Sequence, residues 1–331
     1  MNNLDGYIST CINKVFDKEG RAYLMGIAIL WIFIFHIYCW FKGTLPWWLY
    51  FFSEGQTGVD IFLFLSAYGL EASLRKNGWK LFYINRAKRI LPVYIFFLSA
   101  IFIIFTNDIP LWKIFQQCAA QLTGFSLFQS NDFFSTKFEF DWFTPALIIF
   151  YVSFPLISYG MNLLSNKNIN YEIITLIILV MISLWALRSI QLPIKAFIYR
   201  LPIFMLGVDT YIHLNNKQIN RILILYMVAL IGGYFSNQHW FLTSTSVPVI
   251  LVVYSIIQGN CPFYKTISLL GRHSFEIYLA HIFPVTNFFM LIIFDNIYIF
   301  IIVTVVWTIA VATIFSYFHK YFNILLKTIT K

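Results

Sequence analysis

Long apolar runs, interrupted at short intervals by polar and basic residues, dominate the chain from Arg21 onward. A bilayer core of about 30 Å takes roughly 20 apolar residues in a helix, because lipid offers backbone groups no partner and a helix satisfies them internally. Runs of this kind fall near 22–41, 57–74, 90–106, 143–160, 172–188, 196–212, 222–236, 241–257, 268–291 and 297–318. The pattern predicts an all-α polytopic membrane protein with about ten transmembrane helices. A further stretch, Trp112 to Phe128, is apolar but carries Gln116, Gln117 and Gln121 at helical spacing, and it reads as re-entrant or interfacial.

Lys and Arg bias the loops that hold them toward the cytoplasm. With the N-terminus inside, all of the 23 Lys and Arg fall in cytoplasmic segments except Lys42, Lys113, Lys137, Arg188, Lys195 and Arg200. The outer segments also receive Glu54, Asp108, Asp132, Glu139, Asp141 and Asp295. Counting 112–128 as a span would invert every later loop and spoil this asymmetry, so both termini are predicted cytoplasmic. The first apolar run follows a mixed polar stretch without a small-residue cleavage site and reads as a retained span.

Composition agrees with this class. The chain is 60% hydrophobic and 11% charged, which leaves no polar segment for a separate soluble domain. One transmembrane domain over 1–331 is expected, with no appended periplasmic domain. The net charge of +9 does not point to nucleic acid, since the basic residues lie between spans instead of forming one stripe. Cys11, Cys39, Cys118 and Cys261 are scattered without ligand spacing, so no disulfide and no metal is assigned.

Ionisable groups inside spans are costly and tend to mark function. His36 lies well into the first span, in its outer half under the predicted topology. It is either a proton-transfer group or a buried histidine satisfied by a neighbouring helix. Asp60, at the outer start of the second span, is placed to orient an imidazole, to pair with an arginine or to cap the helix N-terminus. Arg86, Lys88 and Arg89 precede the third span as a basic cluster. It suits either the phosphates of a nucleotide-bearing cofactor such as coenzyme A or anionic lipid headgroups. Arg272, His273, Ser274, Glu276, Tyr278 and His281 crowd the ninth span. On a helix, 273, 276 and 280 share one face, while Ser274, Tyr278 and His281 share another that lines a cavity. Arg200 and Trp142 read as cavity-mouth contacts or interface anchors, and His213, His239 and His319 receive no role.

Five ordered segments resemble the acyltransferase-3 family of membrane-bound acyltransferases. They are Gly26 to His36, Gly58 to Ser66 with Asp60, Arg86 to Pro92 with Arg89, Trp142 to Tyr151 with Pro155, and Gly271 to His281. Together they cover nearly the whole chain. The resemblance implies a bacterial inner-membrane enzyme that takes an acyl group from acetyl-CoA and delivers it to an outward-facing acceptor, a polysaccharide or lipid-linked glycan. It makes His36 the catalytic histidine, assigns Arg86 and Arg89 to cofactor binding, and places Ser66, Trp142, Tyr151, Ser274, Tyr278 and His281 in motif segments along the substrate path. Two positions depart from the pattern: Met25 stands where the family usually has Arg or Lys, with Arg21 one turn earlier, and Leu147 stands where some members carry Glu. The rival reading is a transporter or flippase of a lipid-linked sugar, which needs a path but no acyl donor.

Overall fold

The computed structural model describes residues 14–41, 46–105, 110–129, 141–257, 263–286 and 297–329, and among them it is helical without strands. The expected outer-loop residues Lys42, Asp108, Asp132, Lys137, Glu139 and Asp295, together with Cys11 and Cys261, lie outside the described residues, as do both chain ends and the close of the 268–291 run. The helices are α1 (Lys18–Phe41), α2 (Thr57–Phe105), α3 (Leu111–Thr123), α4 (Phe143–Ser165), α5 (Ile169–Ser189), α6 (Ile194–Ile198), α7 (Leu201–Asn215), α8 (Ile219–Phe235), α9 (His239–Ile257), α10 (Tyr264–Arg272), α11 (Ser274–Thr286) and α12 (Ile297–Ile329). A 3-10 segment, Trp47–Gln56, leads into α2.

Five of the described helical segments are long and apolar enough to cross a bilayer: Lys18–Cys39, Trp47–Ala100, Phe143–Ser165, Ile169–Ser189 and Tyr298–Leu325. Ile219–Phe235 and His239–Tyr254 are shorter apolar helices. The runs 57–74 and 90–106 lie on two helical limbs, grouped as α2, that are separated at Gly78, whose φ 69° and ψ 168° are not helical and suit only glycine without strain. Two of the expected runs, 196–212 and 268–291, take a different form. The run 196–212 divides into α6 and α7. The run 268–291 breaks at His273, where α10 ends and α11 begins. The single helical face assumed for 273, 276 and 280 is therefore interrupted at its first member. The glutamine-bearing stretch forms α3, whose 13 residues rise only about 20 Å, too short to span.

The chain forms two compact units. One comprises Met1–Lys76, Phe154–Ile190 and Lys195–Ser274, and the other Asn77–Ser153, Gln191–Ile194 and Phe275–Lys331. In the first unit, α1 packs along α10 and beneath the 3-10 segment, and α5, α7, α8 and α9 pack on one another. Glycines allow the closest of these contacts. A Cβ at Gly271 would stand 1.7 Å from the Ala22 carbonyl oxygen, and one at Gly26 would stand 1.9 Å from the Ile267 oxygen. The glycines that open the first and last motif segments thus serve one backbone-to-backbone crossing of α1 with α10. Gly207 on α7 likewise lies against the Phe64 carbonyl of α2, where a Cβ would stand 2.3 Å from it.

In the second unit, the limb of α2 beyond Gly78 meets α12 through aromatic rings. Phe96 stacks on Phe318 at 4.6 Å and meets Phe315 edge-on at 5.7 Å. Tyr94 is fully buried and donates to Gln121 Oε1 of α3 at 2.8 Å.

Candidate active site

His36 sits near the C-terminal end of α1, half-buried, with its ring 5.4 Å from that of Phe35. The 3-10 segment covers this end of the helix. Trp31 Nε1 donates to the Glu54 carbonyl at 3.1 Å and lies 3.3 Å from Thr57 Oγ1, and the Trp31 ring meets those of Phe51 and Phe52. Glu54 in turn pairs with His239 of α9 at 2.6 Å. Two glycines set the register of α2 against α1: Gly55 lies against Trp31 and Phe35, and Gly58 against Ala28 and Ile32. As α2 runs antiparallel from there, Asp60 enters below the level of His36 by about two helical turns, roughly 10 Å.

The partner the structure gives Asp60 is Arg200. Arg200 Nε stands 3.0 Å from Asp60 Oδ1, with both side chains buried. Ser244 adds a hydrogen bond to the carboxylate. The guanidinium also donates to the Ala196 carbonyl at 3.2 Å and lies 4.1 Å from the centre of the Tyr199 ring. At 3% exposure Arg200 anchors nothing at an interface; it holds a buried charge pair at the N-terminus of α7. Arg21 projects onto α2, over the Tyr68 ring at 5.7 Å and into the space left by Gly69, where a Cβ would stand 2.5 Å from its Nη1. It fills a place lower in the helix pair than the one Met25 leaves without a charge.

In the second unit, Arg86 is half-buried with its guanidinium 5.9 Å from the centre of the Phe82 ring, and Arg89 is exposed. Pro92, three residues on, has no N–H, so it leaves the Lys88 carbonyl without its helical donor. His319 of α12 fills that place: its Nε2 lies 3.2 Å from the Lys88 oxygen, while its Nδ1 lies 3.1 Å from Glu276 Oε1. The same device recurs on α11. Pro284 deprives the Ala280 carbonyl of its donor, and Trp307 Nε1 of α12 donates to it at 3.2 Å. His319 had no role by sequence, because its partners lie far away in the chain; the proline four residues beyond Lys88 is the only local sign that a donor is needed.

Tyr278 is buried and donates to Asp141 Oδ1 at 2.9 Å, and its ring meets Phe143 edge-on at 5.1 Å. Asp141 caps α4 by accepting the Thr144 N–H at 3.0 Å. Burial pushes the Asp141 carboxyl above the ordinary carboxylate range, and hydrogen bonds from Thr144 and Tyr278 oppose that shift. His281 is wholly buried, with Nδ1 2.9 Å from the Ile277 carbonyl and its ring 5.6 Å from that of Tyr278. Ser274 is buried at the start of α11; Tyr151 and Leu147 are buried in α4; Ser66 and Trp142 are half-buried.

Residues 23–317 match the Acyl_transf_3 family, described as an acyltransferase domain. The chain belongs to the acyltransferase-3 family. This family assignment spans every element described above from Tyr23 to Tyr317, so both units are parts of the family's domain. The chain is also 27% identical over 302 residues to a protein named "Putative acetyltransferase ORF330" from Acidianus two-tailed virus, covering 82% of this chain and 84% of that protein. No solved structure matches the chain. The protein is an acyltransferase with several helices long and apolar enough to cross a membrane.

Proposed function

We propose that this acyltransferase moves an acetyl group from acetyl-CoA to a hydroxyl of an envelope or exported polysaccharide, or of its lipid-linked precursor. The observation that carries this reading is His36. It is a half-buried imidazole near the end of an apolar spanning helix, in a family whose chemistry is acyl transfer. In the proposed step the imidazole accepts the acceptor's hydroxyl proton while the oxygen attacks the thioester carbonyl. The carbon–sulfur bond breaks and coenzyme A leaves as the thiolate, which regains a proton. A covalent variant passes the acetyl group through the histidine first.

Arg86 and Arg89 are the proposed phosphate-binding residues for coenzyme A, because guanidinium groups pair with phosphate oxygens in two-point contacts. The proposal includes residence in the bacterial cytoplasmic membrane, with ten spans and both termini inside. Under that topology the basic segment faces the cytoplasmic donor and His36 faces the outer half of the bilayer. Membranes carrying the protein should transfer labelled acetyl groups from acetyl-CoA to a glycan fraction. Replacing Arg86 and Arg89 together with Ala should raise the KM for acetyl-CoA by about ten-fold or more. An unchanged KM would remove these arginines from the donor site, and labelled acetyl recovered on no glycan would overturn the acceptor class.

A further inference from the structure

Glu172, Asp209 and His213, all buried in the first unit, bring one ligating atom each to within 4.8 Å of one another. Asp209 and His213 lie four residues apart on α7 and so share a face, while Glu172 comes from the first turn of α5. His213 Nε2 is 3.0 Å from Glu172 Oε1 and 3.1 Å from Asp209 Oδ1. Its other nitrogen, Nδ1, lies 2.7 Å from Gln218 Oε1. Arg221 Nη1 donates to the same Oε1 at 3.3 Å, which identifies that atom as the amide oxygen. An amide oxygen at Nδ1 calls for an N–H there, and this leaves the Nε2 lone pair of a neutral ring facing two carboxylates.

That arrangement is repulsive unless a cation occupies the space between. A proton on Nε2 serves one carboxylate only. Asp209 Oδ1 and Glu172 Oε2 in fact accept no well-aligned hydrogen bond among the described residues. Arg221 balances one of the two carboxylates and leaves the other unmatched: its Nε is ion-paired with Glu172 Oε2 at 3.5 Å, while its terminal nitrogens donate to the Ser165 and Lys167 carbonyls at 3.0 and 2.8 Å. The two spacings from His213 Nε2, 3.0 and 3.1 Å, suit a metal. Bonds of about 2.1 Å place neighbouring ligand atoms about 3.0 Å apart around an octahedral ion and about 3.4 Å apart around a tetrahedral one. The imidazole's second nitrogen is held by an oxygen acceptor, as in protein metal sites generally. A small cleft lined by Met161, Leu164, Thr175 and Met205 borders both carboxylates.

We propose that Glu172, Asp209 and His213 bind one divalent transition-metal cation, with water completing its coordination. One imidazole with two carboxylates favours ions such as Mn²⁺, Fe²⁺ or Zn²⁺ over Mg²⁺ or Ca²⁺. The ion ties the start of α5 to the end of α7. Arg200 sits at the other end of α7, 9 residues before Asp209 and 13 before His213, or about 13–20 Å along the helix, so the ion braces the helix that holds the Arg200–Asp60 pair and stands apart from that pair.

Full-length protein purified in detergent, stripped with a chelator and titrated with Co²⁺ tests this through the visible absorption of the bound ion. The expected result is one Co²⁺ per chain, displaced by Zn²⁺, with affinity at least about ten-fold weaker in Glu172→Gln and Asp209→Asn and lost in His213→Ala. If His213→Ala does not fold, the two isosteric variants and the stoichiometry of the parent protein decide the matter. Absence of saturable Co²⁺ binding by the folded parent protein would overturn the proposal, leaving a proton as the cation on Nε2. Binding that is unchanged in the folded variants would overturn it as well.

Discussion

The contact of His319 with the Lys88 carbonyl permits a prediction with an internal control. Pro92 removes the N–H that would otherwise reach Lys88, and His319 Nε2 stands in for it at 3.2 Å. In His319→Ala the part-buried carbonyl loses this replacement donor, at a cost of about 1 kcal/mol, and the contact with Glu276 is lost as well. In Pro92→Ala the backbone N–H returns and the helix can satisfy Lys88 itself. His319→Ala should therefore cost less in the Pro92→Ala background, with a coupling of about 1 kcal/mol; the Glu276 contribution is common to both backgrounds and cancels. Equilibrium unfolding of detergent-purified protein in mixed micelles measures the four species. Effects that simply add, with a coupling below about 0.3 kcal/mol, would refute the assignment of His319 as the carbonyl's donor. Because Lys88 lies between Arg86 and Arg89, His319→Ala should also raise the KM for acetyl-CoA more than it lowers kcat.

Removing one partner of the buried Asp60–Arg200 pair, as in Asp60→Asn or Arg200→Met, should destabilise the protein by about 3–5 kcal/mol. The double variant should lose clearly less than the sum in the same unfolding assay, since no charge is then left buried alone. Gly271→Ala sets a methyl group against the Ala22 carbonyl and should cost about 1–3 kcal/mol through separation of α1 from α10. Gly160→Ala, where a Cβ meets nothing within 4 Å, is its control and should leave the unfolding midpoint unchanged within error.

The apolar runs at 22–41, 143–160, 172–188 and 297–318 were legible because a spanning helix must be apolar over its whole length, and each lies on a continuous helix. The runs 57–74 and 90–106 were legible as two helical limbs, separated within the polar stretch between 75 and 89. Gly78, with its positive φ, is the residue at which the first limb stops. The break at His273 was hidden, because the polar residues around it resemble one helical face, and the close approach of Gly271 to Ala22 is invisible in the sequence. The positions of His36, Arg86 and Tyr278 followed from ordered motifs. Their partners did not, because Asp60 meets Arg200, Tyr278 meets Asp141 and Lys88 meets His319 across more than a hundred residues each. The cluster of Glu172 with Asp209 and His213 escaped a search by ligand spacing for the same reason, its members lying on two separate helices.

The measurement that bears most directly on the proposed mechanism is acetyl transfer by His36→Ala and His36→Gln, assayed in membranes with labelled acetyl-CoA. Each variant is first matched to the parent protein for amount in the membrane and for unfolding midpoint. The account predicts a loss of at least about a hundred-fold in kcat for both variants, since removing the proton-transfer group forfeits a factor of about 10²–10⁴, with acetyl-CoA binding retained. Transfer within a few-fold of the parent rate in either matched variant would contradict it.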